Sequence, residues 1–137
     1  MGRTLGEKTI FVVEDDPDVL TSLRFLLETE GFNVRTFASG PALLSASLPA
    51  PGDCLVIDYK MAEMDGFDLI GHLRDRHVAS PVVLVTAYPG ASVTARAEAC
   101  GVRHIVLKPH IEESLVAHVR AAMREGAAAS KGLRESP

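Results

Sequence analysis

The chain has 137 residues, 47% hydrophobic and 23% charged, which suits one ordinary globular domain with a buried core. Its formal net charge is −4, from 14 Lys and Arg against 18 Asp and Glu, and this argues against direct nucleic-acid binding, which asks for a basic face. No apolar run approaches the ~20 residues that cross a bilayer, and polar residues rather than a signal-peptide core follow Met1, so a cytoplasmic protein with no membrane insertion is expected.

In chain order, "KTIFVV" (8–13) is a continuous apolar run, as in a strand buried on both faces. Three acids follow, Glu14, Asp15 and Asp16, and then Pro17. Val19, Leu20, Leu23, Leu26 and Leu27 recur at helical spacing up to Gly31. "FNVRTF" (32–37) reads as a second strand, and 40–48 as a short helix with Ser39 as its cap. "PAPG" (49–52) is a turn. "CLVI" (54–57) is a third strand, ending at Asp58. A loop runs to Gly66, and Phe67, Leu69, Ile70 and Leu73 mark the next helix. "PVVLV" (81–85) is the fourth strand, 91–100 the fourth helix and "HIVL" (104–107) the fifth strand. A last helix is expected over 111–124, with Leu115, Val116, Val119 and Met123 on one side.

This alternation predicts a (βα)5 domain over 1–125, with right-handed crossovers and a parallel sheet covered on both faces. Residues 126–137, small and polar, are expected to form a flexible tail. Cys54 and Cys100 have no metal or disulfide spacing and read as buried free thiols.

The placement of polar residues is the informative feature. The first strand ends at Glu14 and Asp15, the third at Asp58, the fourth at Thr86 and the fifth at Lys108; only the second, ending at Phe37, carries nothing reactive. In a parallel sheet these ends share one edge, where open α/β sheets bind ligands. Three carboxylates in one crevice need more positive charge than Lys108 supplies. A hard divalent cation with oxygen ligands, Mg2+, together with Lys108 balances the formal charge of Glu14, Asp15 and Asp58. Asp16, directly before Pro17, is assigned to capping the first helix, with a part in holding metal-bound water left open.

The motifs "VVEDD", "VIDYKMAEMDGFDLI", "LVTAY" and "LKP", in this order, resemble the receiver domain of two-component response regulators over roughly residues 8–124. The resemblance implies a flavodoxin-like three-layer fold with strand order 2-1-3-4-5. It implies that Asp58 is the phosphoacceptor, that Asp15 binds Mg2+ directly and that Glu14 acts through a metal-bound water. The backbone carbonyl of Lys60 becomes a further metal ligand, Thr86 the switch hydroxyl, and Lys108 the lysine that stabilises the phosphoryl oxygens. The peptide before Pro109 is expected to be cis. The phosphoryl donor is a sensor histidine kinase or a phosphotransfer protein, and the surface around 86–110 is the expected partner face. A homodimer is left open.

Five positions depart from that pattern or tune it. Ala62 stands where Pro is usual, Ile105 where an aromatic switch is usual, and His110 where Phe is common. Tyr88 and Lys60 are bulky enough to shield Asp58 from water, which suggests a long-lived phosphorylated state. Two other readings stay in view. A degenerate receiver acting as a scaffold is expected to lack Asp58, Asp15 or Lys108, and all three are present. An Asp-nucleophile phosphohydrolase wants a second Asp where Lys60 stands. A DNA-binding domain does not fit in the residues after 125, so the output lies with a stand-alone receiver or with a longer regulator.

Overall fold

The computed structural model describes residues 8–87, 90–108 and 114–125. β1 (Thr9–Val13) leads to α1 (Pro17–Thr29), β2 (Asn33–Phe37) to α2 (Gly40–Leu44) and β3 (Cys54–Asp58) to α3 (Gly66–Asp75). β4 (Val82–Thr86) leads to α4 (Ala91–Ala99), and β5 (His104–Leu107) precedes a helix, α5, described over residues 114–125. The strands are parallel in the order β2-β1-β3-β4-β5. This is the expected doubly wound α/β sandwich.

Period-two alternation divides the core into two layers. Ile10 and Val12 of β1, Cys54 and Val56 of β3, Val83 and Val85 of β4 and Val106 of β5 pack with Leu23 and Leu27 of α1 and Leu115, Val119 and Ala122 of α5. Phe11, Val13, Leu55, Ile57, Val82 and Leu84 face the other way, onto α2, α3 and α4. Every residue of β1, β3 and β4 is buried, which is why these segments read as unbroken apolar runs. β2, at one edge, is half exposed.

Local chemistry sets the helix ends. The Asp16 carboxylate accepts the N–H groups of Asp18 and Val19, and Pro17 occupies the first helical position, as expected. The Ser39 hydroxyl accepts the Ala42 N–H. Asp65 and Asp68 cap α3 reciprocally. One boundary needs correcting: the pattern over 40–48 predicts a longer helix, but α2 closes at Leu44. The Ser45 N–H returns to the Pro41 carbonyl and the Ala46 N–H to Leu43, a tightened last turn. Pro49 further disfavours helical backbone at Leu48. Cys54 is buried as expected, whereas Cys100 is only partly covered. Tyr88, Pro109, His110 and the segment 126–137 lie outside the described residues.

Candidate functional site

The C-terminal ends of the strands stand nearly level. Val13 pairs with both Phe37 and Ile57, Asp58 with Val85, and Thr86 with Leu107. The side chains that follow this register therefore meet. Glu14, just past β1, is 1% exposed, Asp58 4% and Thr86 1%. Asp15, by contrast, is exposed. Oxygen atoms of Glu14, Asp15 and Asp58 lie within 4.8 Å of one another.

One ammonium reaches into this group. Lys108 Nζ is 3.0 Å from Asp58 Oδ1 and 3.1 Å from Glu14 Oε1. It is held at the end of β5 by its own N–H, which donates to the Thr86 carbonyl at 2.9 Å. The remaining Glu14 oxygen, Oε2, accepts the Asp16 N–H at 3.0 Å. Asp15 is tied across the crevice: its Oδ2 accepts the Ala62 N–H at 3.0 Å. Proline has no N–H to give, so Ala62 supplies a tether between the β1 and β3 loops that a Pro at this position would lack.

The loop after Asp58 is set by backbone contacts. The Tyr59 N–H donates to the Val85 carbonyl and the Gly66 N–H to the Tyr59 carbonyl, both at 2.8 Å. A Cβ on Gly66 would stand 2.8 Å from the Asp58 carbonyl oxygen and 3.2 Å from Ile57 and Leu84 side-chain carbons. Gly66 thus lets α3 begin directly against the site strand. In the sequence Gly66 reads only as a loop end; its place at the first residue of the helix after Asp58 is the signal of this close approach. The ammonium of Lys60 lies 5.5 Å from the centre of the Tyr59 ring. Ile105 is partly buried against the α2–α4 layer of the core.

The electrostatics follow from burial. Desolvation raises the Glu14 pKa above the ordinary carboxylate value; the Asp16 amide opposes this, and the nearby Asp58 charge adds to it. Desolvation likewise raises Asp58, against hydrogen bonding and attraction from Lys108 and with repulsion from Asp15. Burial pulls the Lys108 ammonium down, but hydrogen bonds and charge from Asp58 and then Glu14 outweigh it, leaving its pKa above the ordinary lysine value. Among the described residues, one cation paired with this group against three carboxylates leaves the crevice short of positive charge. An all-oxygen donor set of this kind fits a hard divalent cation.

A five-stranded doubly wound sheet with order 2-1-3-4-5 defines the fold class of the chemotaxis-regulator-like receivers. The family model described as "Response regulator receiver domain" matches residues 10–120, and the chain belongs to that family, the receiver domains of two-component systems. Among curated relatives, the transcriptional regulatory protein KdpE of Mycobacterium tuberculosis is 31% identical over 122 residues, covering 89% of this chain and 54% of that protein. The transcriptional regulatory protein FixJ of Azorhizobium caulinodans is 31% identical over 126 residues, covering 92% and 59%. The chain thus spans little more than half the length of these curated relatives. Response regulator StyR superposes with a TM-score of 0.84 at 31% identity, over 94% of this chain and 65% of that one. The Vibrio cholerae chemotaxis protein CheY4 gives 0.75 at 20% identity, over 85% and 99%, a likeness of fold alone. Among the described residues, no helix is long and apolar enough to cross a membrane.

Proposed function

We propose that this receiver accepts a phosphoryl group on Asp58, in a Mg2+-dependent reaction, from a sensor histidine kinase or phosphotransfer protein. The observation that carries the reading is the meeting of Glu14, Asp15 and Asp58 at one sheet edge with Lys108 as their ammonium. Glu14, Asp15, Asp58 and the Lys60 backbone carbonyl would hold the Mg2+, which supplies positive charge against the phosphoryl oxygens when bound.

The protein's own residues do the rest. An Asp58 carboxylate oxygen bonds to phosphorus as the bond to the donor breaks, and the electron pair of that bond leaves with the donor. Burial at 4% exposure limits competition from water for the same phosphorus. Lys108, already 3.0 Å from Asp58, needs little movement to pair with the new phosphoryl oxygens. Thr86 stands at the end of the neighbouring strand, where its hydroxyl can bond the product and draw in the loop after β4. The partner that reads this change is a protein surface, in keeping with the chain's net charge of −4.

Intact mass after incubation with Mg2+ and a small phosphodonor tests the proposal. Wild type is expected to gain one phosphoryl group and Asp58→Asn none. A wild-type chain that gains nothing, while still folded, overturns it.

A further inference from the structure

Outside this site, a second set of titratable groups meets at the opposite end of β5. His104 opens the strand, His118 lies on α5, and their Nδ1 atoms are 3.0 Å apart. The ring centroids are 5.2 Å apart and the planes cross at 75°. The centroid separation exceeds the nitrogen separation by close to two centroid-to-nitrogen radii. The two nitrogens therefore face each other head-on and do not converge on a third point, as two ligands of one metal ion would. A head-on N···N contact at this distance is a hydrogen bond, with one nitrogen donating and the other accepting.

The other side of His104 fixes its tautomer. Its Nε2 lies 3.0 Å from Glu125 Oε1 on α5, so this nitrogen carries a hydrogen and donates to the carboxylate. The His104 side chain is 12% exposed, so little water competes. Arg103, just before β5, places a guanidinium nitrogen 4.0 Å from the same Glu125 oxygen. On β4, the residue paired with His104 is the apolar Val83. Glu125 can balance one imidazolium, not two, and Arg103 adds positive charge beside it.

We propose that His104, His118 and Glu125 form a proton-operated clasp between β5 and α5. It holds while the facing nitrogens share one proton and opens when each carries its own. The pair has room for one added proton, because one facing nitrogen can still donate while the other accepts. A second proton sets donor against donor and two cations face to face. Burial, and then the facing His104, hold the His118 pKa below the ordinary histidine value of 6.5. A base lowered on folding binds fewer protons in the folded than in the unfolded state. The stabilising contact is therefore present at neutral pH and above, and is lost as pH falls below 6.5 toward the lowered value. β5 runs from this clasp to Lys108, so the strand that presents the site lysine is also the strand that α5 grips.

Two readouts on the full chain test this. The first is a nitrogen-15 titration of the imidazoles in the wild type, run beside amide hydrogen exchange of residues 114–125 from about pH 7.5 to about pH 5.5. His118 is expected to stay neutral below the ordinary histidine range. Exchange protection of 114–125, corrected for intrinsic rates, should fall roughly threefold or more between pH 6.5 and the lower pH at which folded His118 takes up its proton. The second is His118→Phe, which keeps a ring but cannot titrate; its 114–125 protection should not change with pH over this range. An ordinary titration of His118, or protection that falls equally in the variant, overturns the proposal. Should the variant not fold, the wild-type titration still decides, because the loss of protection must begin near pH 6.5 and end where His118 protonates.

Discussion

At the N-terminal edge of the sheet, Asp53 is fully buried, and its two oxygens accept the backbone N–H groups of Thr9 at 2.9 Å and Ala50 at 2.8 Å. At the C-terminal edge, Glu14 and Asp58 are almost as deeply buried and share the ammonium of Lys108. Both edges remove carboxylates from water, but with different compensation. Backbone dipoles built into the fold serve Asp53, and its contacts join the start of β1 to the start of β3 without any ligand. Among the described residues, the C-terminal edge sets one ammonium, that of Lys108, against two buried acids, with Asp15 adding a third within 4.8 Å. A carboxylate satisfied by amides is a structural tie, whereas carboxylates in excess of their cations form a site that gains from a bound cation.

This contrast can be broken by substitution. Asp53→Ala leaves the Thr9 and Ala50 amides without that acceptor, at about 1–3 kcal/mol for each unsatisfied group. A loss of about 3 kcal/mol is expected in denaturant unfolding, the same with and without Mg2+. Gly66→Ala forces a methyl against the Asp58 carbonyl and should cost about 2 kcal/mol by the same measurement, because backbone cannot yield as a side chain would. Asp58→Asn goes the other way: it removes a desolvated charge and leaves Lys108 paired with Glu14. A gain of about 1 kcal/mol is expected in Mg2+-free buffer.

The pH response is smaller and separates His118 from the acids. Glu14 and Asp58 have folded pKa values raised above 4.5 and 3.8, so the folded chain binds their protons more readily than the unfolded one. Their contribution to stability is complete below those ordinary values and is lost as pH rises through the raised folded values. Acidification of the Mg2+-free protein should thus gain stability from this edge, and Mg2+, which favours the charged carboxylates, should erase the gain. The His118 contribution has the opposite sign and should be indifferent to Mg2+. Stability curves with and without Mg2+ resolve the two.

Much of the fold was legible in the chain itself. β1, β3 and β4 are buried on both faces, so their apolar runs announce them, and the strand-end acids and Lys108 stand out by contrast with those runs. The Asp16 cap and the Ser39 cap were legible because capping depends on residues within a turn. Contacts distant in sequence were not. Asp53, between the 49–52 turn and the third strand, gives no sign of its tie to Thr9 until β1 is laid beside it. Ala62 reads as a missing proline until its N–H is seen on Asp15. His104 reads as a surface residue until α5 brings His118 and Glu125 against it. α2 stops at Leu44, short of the 40–48 pattern, because the Ser45 and Ala46 N–H groups close the last turn and Pro49 disfavours helical backbone at Leu48, neither of which the apolar spacing reveals.

The most direct measurement is thermal unfolding of wild type, Asp58→Asn and Asp53→Asn, side by side, with and without Mg2+. A cation-seeking C-terminal edge predicts that Mg2+ raises the wild-type and Asp53→Asn midpoints alike and shifts Asp58→Asn much less. Equal Mg2+ shifts in all three, or none in the wild type, would contradict the account.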